Sequence, residues 1–222
     1  MFPIAHFHSP FTSKFGIPRQ SGMAHVEGSI VFEPAFRNAD ALRGLEGFDY
    51  IWLIWEFSEH RDVKKSPTVR PPILGGNERR GVWATRSPFR PNNLGLSCVR
   101  ILGIDLDTPD GPVIRVDGAD LMDGTPVFDI KPYVPHADCH PDARSGFADP
   151  DAWHTLEVFI PDDILAASPY SLAQLDALRE ALALDPRPHY HDDPTRTYGL
   201  PFAGYDVKFR VTDGVLTVTA VE

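Results

Sequence analysis

The chain has 222 residues, 42% hydrophobic and 23% charged, a composition that excludes a fibrous repeat or a wholly disordered chain. Its 21 Lys and Arg stand against 31 Asp and Glu, a net charge of −10, so no overall field holds it on nucleic acid and any such partner needs a local basic surface. Cys98 and Cys139 are too few for a disulfide scaffold and suit a reducing cytosol. No apolar run approaches the roughly 18–20 residues of a membrane span. The opening MFPIAHFHSP has no basic region followed by an apolar stretch, so no secretory leader and a cytoplasmic location are expected.

The 22 prolines and 17 glycines break the first two thirds of the chain into short pieces, which disfavours long helices there. Residues 2–8 and 23–32 read as strands. Residues 38–45 read as a helical turn capped by Asn38. The run FDYIWLIWEF at 48–57 is apolar on both faces, which predicts a strand covered on both sides with Trp52 and Trp55 in the core. Residues 81–85 hold a short strand candidate, followed by 96–106, 112–116 and 127–133, with turns at Asp110-Gly111 and Asp123-Gly124. Many short strands joined by turns predict a small barrel or sandwich.

The character changes near residues 145–153, where a domain boundary is expected between 1–148 and 149–222. Residues 154–160 are one more strand candidate. Ser168-Pro169-Tyr170 before SLAQLDALREALAL predicts a helix capped by Ser168, with Leu172, Leu175, Leu178 and Leu182 on its buried face and a stop at Asp185-Pro186. Residues 205–211 and 215–221 alternate across Asp213-Gly214, a hairpin pattern. The first unit is thus β-rich and the smaller second unit is α+β.

His136, Asp138, Cys139, His140 and Asp142 share one loop and are all metal-ligating types, but their spacing fits no zinc pattern, and a polar surface loop is the expectation. The group His189, His191, Asp192 and Asp193 has the same weakness. The GGNERRG segment fits neither a dinucleotide fingerprint nor a P-loop, and there is no G-x-S-x-G elbow. Residues 61–90 are the informative stretch. Arg61, Lys64, Lys65, Arg70, Arg79, Arg80, Arg86 and Arg90 oppose only Asp62 and Glu78, and Pro, Gly, Trp83 and Phe89 interrupt the charges, so they lie on shaped loops. Arginine forks and aromatic faces suit an anionic, aromatic ligand such as an RNA loop, and a purely structural role stays open beside that reading.

Several blocks resemble the TrmO (TsaA, YaeB-like) family. They are Ile17-Pro18-Arg19-Gln20, ALRGLEGF at 41–48, TVRPPILGGNERRGVWATRSPFRPNNLGLS at 68–97 and DLMDGTPVFDIKPYVP at 120–135. DPRPHY at 185–190, Thr197-Tyr198 and YDVKFRV at 205–211 continue the resemblance through the second unit. It implies an N-terminal β-barrel that binds S-adenosylmethionine, a smaller C-terminal α+β domain with tRNA or dimer contacts, and a homodimer. It also implies methylation of the N6 nitrogen of threonylcarbamoyladenosine, beside the anticodon of threonine tRNA. Carried over position by position, the implied cofactor contacts are Pro18, Arg19, Gln20, Ser58, Glu59, Arg86, Leu96, Ala119, Asp120, Leu121 and Met122.

Two departures stand out. Ser58-Glu59 replaces a frequent His-Gln, with His60 displaced, and Asn93 replaces a proline, which is expected to loosen its turn. Arg19 or Arg86 is the candidate partner of the cofactor carboxylate. Asp120 or Asp123 is the candidate acceptor for ribose, ammonium or substrate nitrogen, and Asp123-Gly124 also reads simply as a turn. Arg70, Arg79, Arg80 and Arg90 are candidates for tRNA phosphates, and Lys64 and Lys65 are read as a solvated loop. A non-enzymatic RNA- or nucleotide-binding barrel, and a metal-dependent hydrolase built on His136, Asp138, His140 and Asp142, are the competing classes.

Overall fold

A computed structural model describes residues 1–148, 154–188 and 193–222. Alternation of apolar residues builds its first unit. Six strands, β1 (Ala5–His8), β2 (Glu27–Phe32), β3 (Tyr50–Glu56), β6 (Leu94–Asp105), β7 (Val113–Asp117) and β8 (Thr125–Pro132), close into a barrel in the order β1-β2-β7-β6-β3-β8. A two-stranded ribbon of β4 (Thr68–Val69) and β5 (Arg80–Gly81) lies in the long connection between β3 and β6. Phe7, Ile30, Ile51, Leu53, Val99, Ile114, Val116 and Val127 fill the interior. Full burial of one such side chain contributes about 1.5–3 kcal/mol.

The β3 register shows how far the apolar pattern carries. Ile51, Leu53 and Trp55 point inward and are buried. Trp52 is only half-buried, on the outside of the barrel, where its ring meets Tyr133 and its indole Nε1 donates to Asp138 Oδ2 at 3.2 Å. The expected double cover therefore holds fully on one face, and one tryptophan of the two is core.

Every barrel pairing is antiparallel. The C-terminal ends of β1, β3 and β7 therefore share one rim with the N-terminal ends of β2, β6 and β8. The connections 9–26, 57–93 and 118–124 all emerge there. The loop with His136 and His140, on and after the short helix α1 (Pro135–Asp138), follows β8 and leaves from the opposite rim.

The second unit is a four-stranded sheet of β10 (Tyr198–Phe202), β11 (Tyr205–Thr212), β12 (Val215–Val221) and β9 (Glu157–Phe159), with α2 (Asp162–Ala167) and α3 (Leu172–Ala183) beside it. Asp213 and Gly214, at φ 49° and 80°, make the predicted tight turn between β11 and β12. The helix cap is corrected: Ser171, not Ser168, caps α3, forming a reciprocal capping box with Gln174. Leu172 is then the first helical residue and is 81% exposed, whereas Leu178 and Leu182 are buried with Ala177 and Ala181.

Residues 9–26 act as a strap between the two units. Phe11, Ala24 and Val26 belong to the core of the second unit. The strap returns to the barrel through Gly22 N–H to Gly118 O, 2.8 Å, and Asp123 N–H to Phe11 O, 2.8 Å. His25 links three parts: its N–H donates to Glu180 on α3 and its ring Nδ1 lies 2.7 Å from Asp117 Oδ2 on β7. The hydrogen bond with Asp117, then the nearby negative charges of Asp117 and Glu180, raise the His25 pKa.

Two expectations about the long rim connection are overturned. Lys65 is not solvated: it is half-buried and its Nζ donates to His60 O at 2.8 Å and to Asn93 Oδ1. Asn93 does not loosen its turn. Its φ of 51° is closed to proline, its side chain is buried, and its Nδ2 donates to His60 O at 3.0 Å. The asparagine thus ties two distant ends of the connection together. Asn93→Ala should lower stability by about 1–3 kcal/mol in urea unfolding, because the partners lose their bonds and alanine dislikes positive φ. An unchanged midpoint and slope would contradict this.

Candidate functional site

The rim gathers every sequence-nominated cofactor position onto three adjacent connections and the start of β6. What each side chain does there differs. Ala119 and Leu121 are 4% and 1% exposed and belong to the barrel core, so they leave Asp120 as the residue of that pair-flanked stretch whose side chain serves the rim. Met122 is half-buried, and its carbonyl accepts from the Thr125 hydroxyl at 2.7 Å. Pro18 is buried. Leu96 is 54% exposed on the outer face of β6, paired in register with Ile54.

A chain of polar contacts runs from the barrel interior to this rim. Trp55 Nε1 donates to Ser97 Oγ at 2.9 Å. An indole N–H only donates and an ionised carboxylate only accepts, so the Ser97 hydroxyl gives its own proton to Asp120 Oδ1, 2.5 Å away. The Ser21 N–H also donates to the Asp120 carboxyl, and the Arg86 charge lies close enough to favour its ionised form. Arg86 Nη1 in turn donates to Gln20 Oε1 at 2.6 Å. Gly95 makes the first link sterically possible: a Cβ there would fall 2.2 Å from the Trp55 ring.

Burial nevertheless dominates at Asp120 and raises its pKa above the usual carboxylate value, against the opposing pull of Ser97, Arg86 and Ser21. Asp123 is different. Its Oδ1 is engaged by the His8 ring, 3.2 Å, and the Ser9 N–H, 3.1 Å, so it staples the start of the strap. Between the two aspartates nominated from sequence, Asp120 is the one presented beside Arg86.

The two nominated arginines also diverge. Arg19 is half-buried and its Nη2 donates to Asp185 O, 3.2 Å, beyond the end of α3. Burial lowers its pKa, which the Asp185 charge partly offsets. Arg86 is exposed and keeps its guanidinium at the rim.

Ser58 and Glu59 form a single tight turn with His60 directly after β3. The His60 ring packs edge-on against Phe57 and Phe89, at 6.2 and 5.5 Å between centroids, and its Nδ1 is buried without a hydrogen-bond partner. Burial first, then Lys14 and Lys65, lower its pKa, so the ring is neutral near pH 7. Sequence reasoning missed Ser97 and the role of Trp55. The available signal was a polar residue on the inward face of β6, between Gly95 and Val99.

The candidate phosphate-binding arginines separate as well. Arg70 is exposed and has no carboxylate partner among the described residues. Arg79 holds Thr68 Oγ1 through Nε and Nη2, at 2.9 and 2.6 Å, across the small ribbon. Arg80 pairs with Glu78 at 2.5 Å and lies over the Phe147 ring. Arg90 is half-buried, bound to Thr85 O and Ser87 O, and sits over the Trp83 ring.

On the opposite rim, Asp138 accepts from the Val134 N–H and from Trp52, which hold its carboxyl below the usual value. No three His, Cys, Asp or Glu side chains converge on a metal position among the described residues. His189, Tyr190, His191 and Asp192, like the segment 149–153 at the expected boundary, lie outside the described residues. No helix among the described residues is long and apolar enough to cross a membrane.

The chain is similar to known proteins along its length. Residues 6–139 match the tRNA-methyltransferase O N-terminal domain and residues 163–222 the TrmO C-terminal domain. The chain is 38% identical over 226 residues to the tRNA (adenine(37)-N6)-methyltransferase of Escherichia coli, covering 99% of this chain and 96% of that one. It is 39% identical to a putative S-adenosylmethionine-dependent methyltransferase, RcsF, of Pseudomonas aeruginosa, covering 92% and 89%. The crystal structure of TrmO from Pseudomonas aeruginosa superposes with a TM-score of 0.77 at 34% identity, covering 100% and 97%.

Asp120 carries a stability cost with a definite sign. Its folded-state pKa is raised, so wild-type stability is greatest below the ordinary carboxylate value and declines as pH rises through the folded pKa. Asp120→Asn should therefore raise the thermal midpoint relative to wild type at pH 7, with the gain vanishing near pH 3. A variant less stable than wild type at pH 7 would show that the ionised carboxylate is a net structural asset.

Proposed function

This chain belongs to the tRNA-methyltransferase O family, and from that premise we propose that it methylates the N6 nitrogen of threonylcarbamoyladenosine, beside the anticodon of threonine tRNA. The methyl donor is S-adenosylmethionine, which supplies an electrophilic methyl carbon on a positive sulfur. The observation that carries the reading is the juxtaposition of Arg86, Gln20 and Asp120 at one rim with an exposed Leu96 on the adjoining strand. That donor set fits the group: a cation for its carboxylate, a carboxylate for its cationic and hydroxyl groups, and apolar surface for its base.

The chain's own work is positioning and charge. Gln20 aims Arg86 through one hydrogen bond, and an aimed guanidinium loses less freedom when it grips an anion. Ser97 and the Ser21 N–H fix the Asp120 carboxylate before any ligand arrives. Asp120 also offers the rim a buried negative charge toward which the proton of the reacting nitrogen moves. Raised proton affinity from burial favours that role.

In this proposal the unit 1–148 holds the donor, and 149–222 contributes tRNA contacts and the face of a homodimer that works in the cytoplasm. The strap that links both cores supports a shared duty. A non-enzymatic RNA- or nucleotide-binding barrel would use the same basic loop, and it differs from this reading in transferring no methyl group to tRNA.

Incubation with labelled donor and tRNA carrying or lacking the threonylcarbamoyl group, read by nucleoside mass spectrometry, tests the reaction. Methyl appears only on the threonylcarbamoylated tRNA if the reading is right. Methylation of both, or of neither, contradicts it. Arg86→Ala should weaken donor binding in calorimetry by about tenfold or more, the loss of one charge-assisted contact. An unchanged affinity would take Arg86 out of the site.

A further inference from the structure

The proposed chemistry leaves one prominent side chain unused. Trp83 is 73% exposed, yet it stands on a fixed base. Val82 beneath it is buried, with its N–H bound to Pro67 O at 2.9 Å. The Thr85 N–H and hydroxyl both return to Val82 O, at 3.2 and 2.9 Å. The β4–β5 ribbon closes the chain just before this turn, with Thr68 facing Gly81.

The indole also has a cation placed beside it. Arg90 Cζ lies 5.8 Å from the Trp83 ring centroid. Its Nη1 is fixed by Thr85 O at 3.1 Å and Ser87 O at 3.3 Å, so this arginine stiffens the ring's surroundings. A single exposed apolar residue is ordinary on a surface. A rigid one, held beside an arginine in the one basic stretch of an acidic chain, is a surface of defined chemistry. Its place matters too. Trp83 is three residues from Arg86, a span of at most about 11 Å along the backbone.

We propose that Trp83 is a stacking platform for an unpaired RNA base neighbouring the nucleotide that is modified. The inference rests on the tRNA reading above and adds a contact to it. An aromatic face accepts any base, because every base has a π-face, and a neighbouring arginine adds attraction. Arg70 and Arg79, on the same connection and without a carboxylate partner among the described residues, supply the positive field that brings a phosphate chain toward the ring. Trp83 thus selects an unpaired loop over a duplex, whose bases are already stacked on one another.

The test measures tRNA affinity across a salt series for wild type, Trp83→Ala, Trp83→Phe and Arg70→Ala, with donor affinity measured in parallel. Trp83→Ala should weaken tRNA binding roughly 5- to 100-fold at every salt concentration, with an unchanged salt slope and unchanged donor affinity. Trp83→Phe should recover most of the loss, and Arg70→Ala should instead flatten the salt slope by about one counterion. Trp83→Ala binding as tightly as wild type overturns the stacking role and leaves the tRNA reading standing. Wild-type protein that binds no tRNA overturns both. Self-association of wild type that Trp83→Ala abolishes would assign the ring to an interface between two copies, and would also overturn the proposal.

Discussion

The hydrogen bond from Ser97 to Asp120 joins the barrel core to the candidate site. Trp55 donates into the same hydroxyl, and the ionised carboxylate, which only accepts, takes the Ser97 proton. A carboxylate held in this way is desolvated, and desolvated charge is costly unless it is satisfied. The rim offsets part of that cost with Ser21 and Arg86, and Gln20 then holds Arg86. Strap, β6 and basic connection are thereby committed to one geometry by a single buried charge. Gly95 belongs to the same logic, because the Trp55 ring occupies the space that a side chain would need.

The topology explains why such distant segments meet. In an all-antiparallel barrel, alternate strand ends share a rim, so residues near 20, 58, 86, 96 and 120 converge without any local sequence motif. The second unit is bound into this arrangement through the strap. Phe11, Ala24 and Val26 are buried in its core, Arg19 reaches Asp185 beyond α3, and His25 joins Glu180 to Asp117. Movement of α3 would be felt by Gln20 within a few residues of chain. Stability and the geometry of the candidate site are thus coupled at the strap, while the opposite rim, with Trp52 and Asp138, holds none of the nominated cofactor positions.

Much of the fold was legible where one physical rule dominates. Alternation gave the inward face of β3, and two successive positive-φ residues at Asp213 and Gly214 gave the last hairpin. Rules in competition were harder to read. Ser168 and Ser171 are both sound caps, and only the reciprocal bond with Gln174 decides between them. The short helix α2 hides behind Pro161-Asp162-Asp163, which reads equally as a turn. The candidate site was nominated as a set of positions through family resemblance, without a role for each. Nothing local distinguishes Arg19 from Arg86, or Asp120 from Asp123, because each is sorted by a partner over 60 residues away in the chain or by burial. Asn93 and Lys65 misled for the same reason: each looked like a loop residue, and each is a tie to His60.

Hydrogen–deuterium exchange of the full chain, with and without S-adenosylmethionine, tests the central claim most directly. The donor should slow exchange at the amides around Gln20 and Ser21, Arg86, and Asp120 to Met122, with little change elsewhere in the barrel. Protection confined to the opposite end of the barrel, where Leu42, Glu46 and Leu106 line a shallow pocket, would place the donor away from the Asp120 carboxylate and contradict the account.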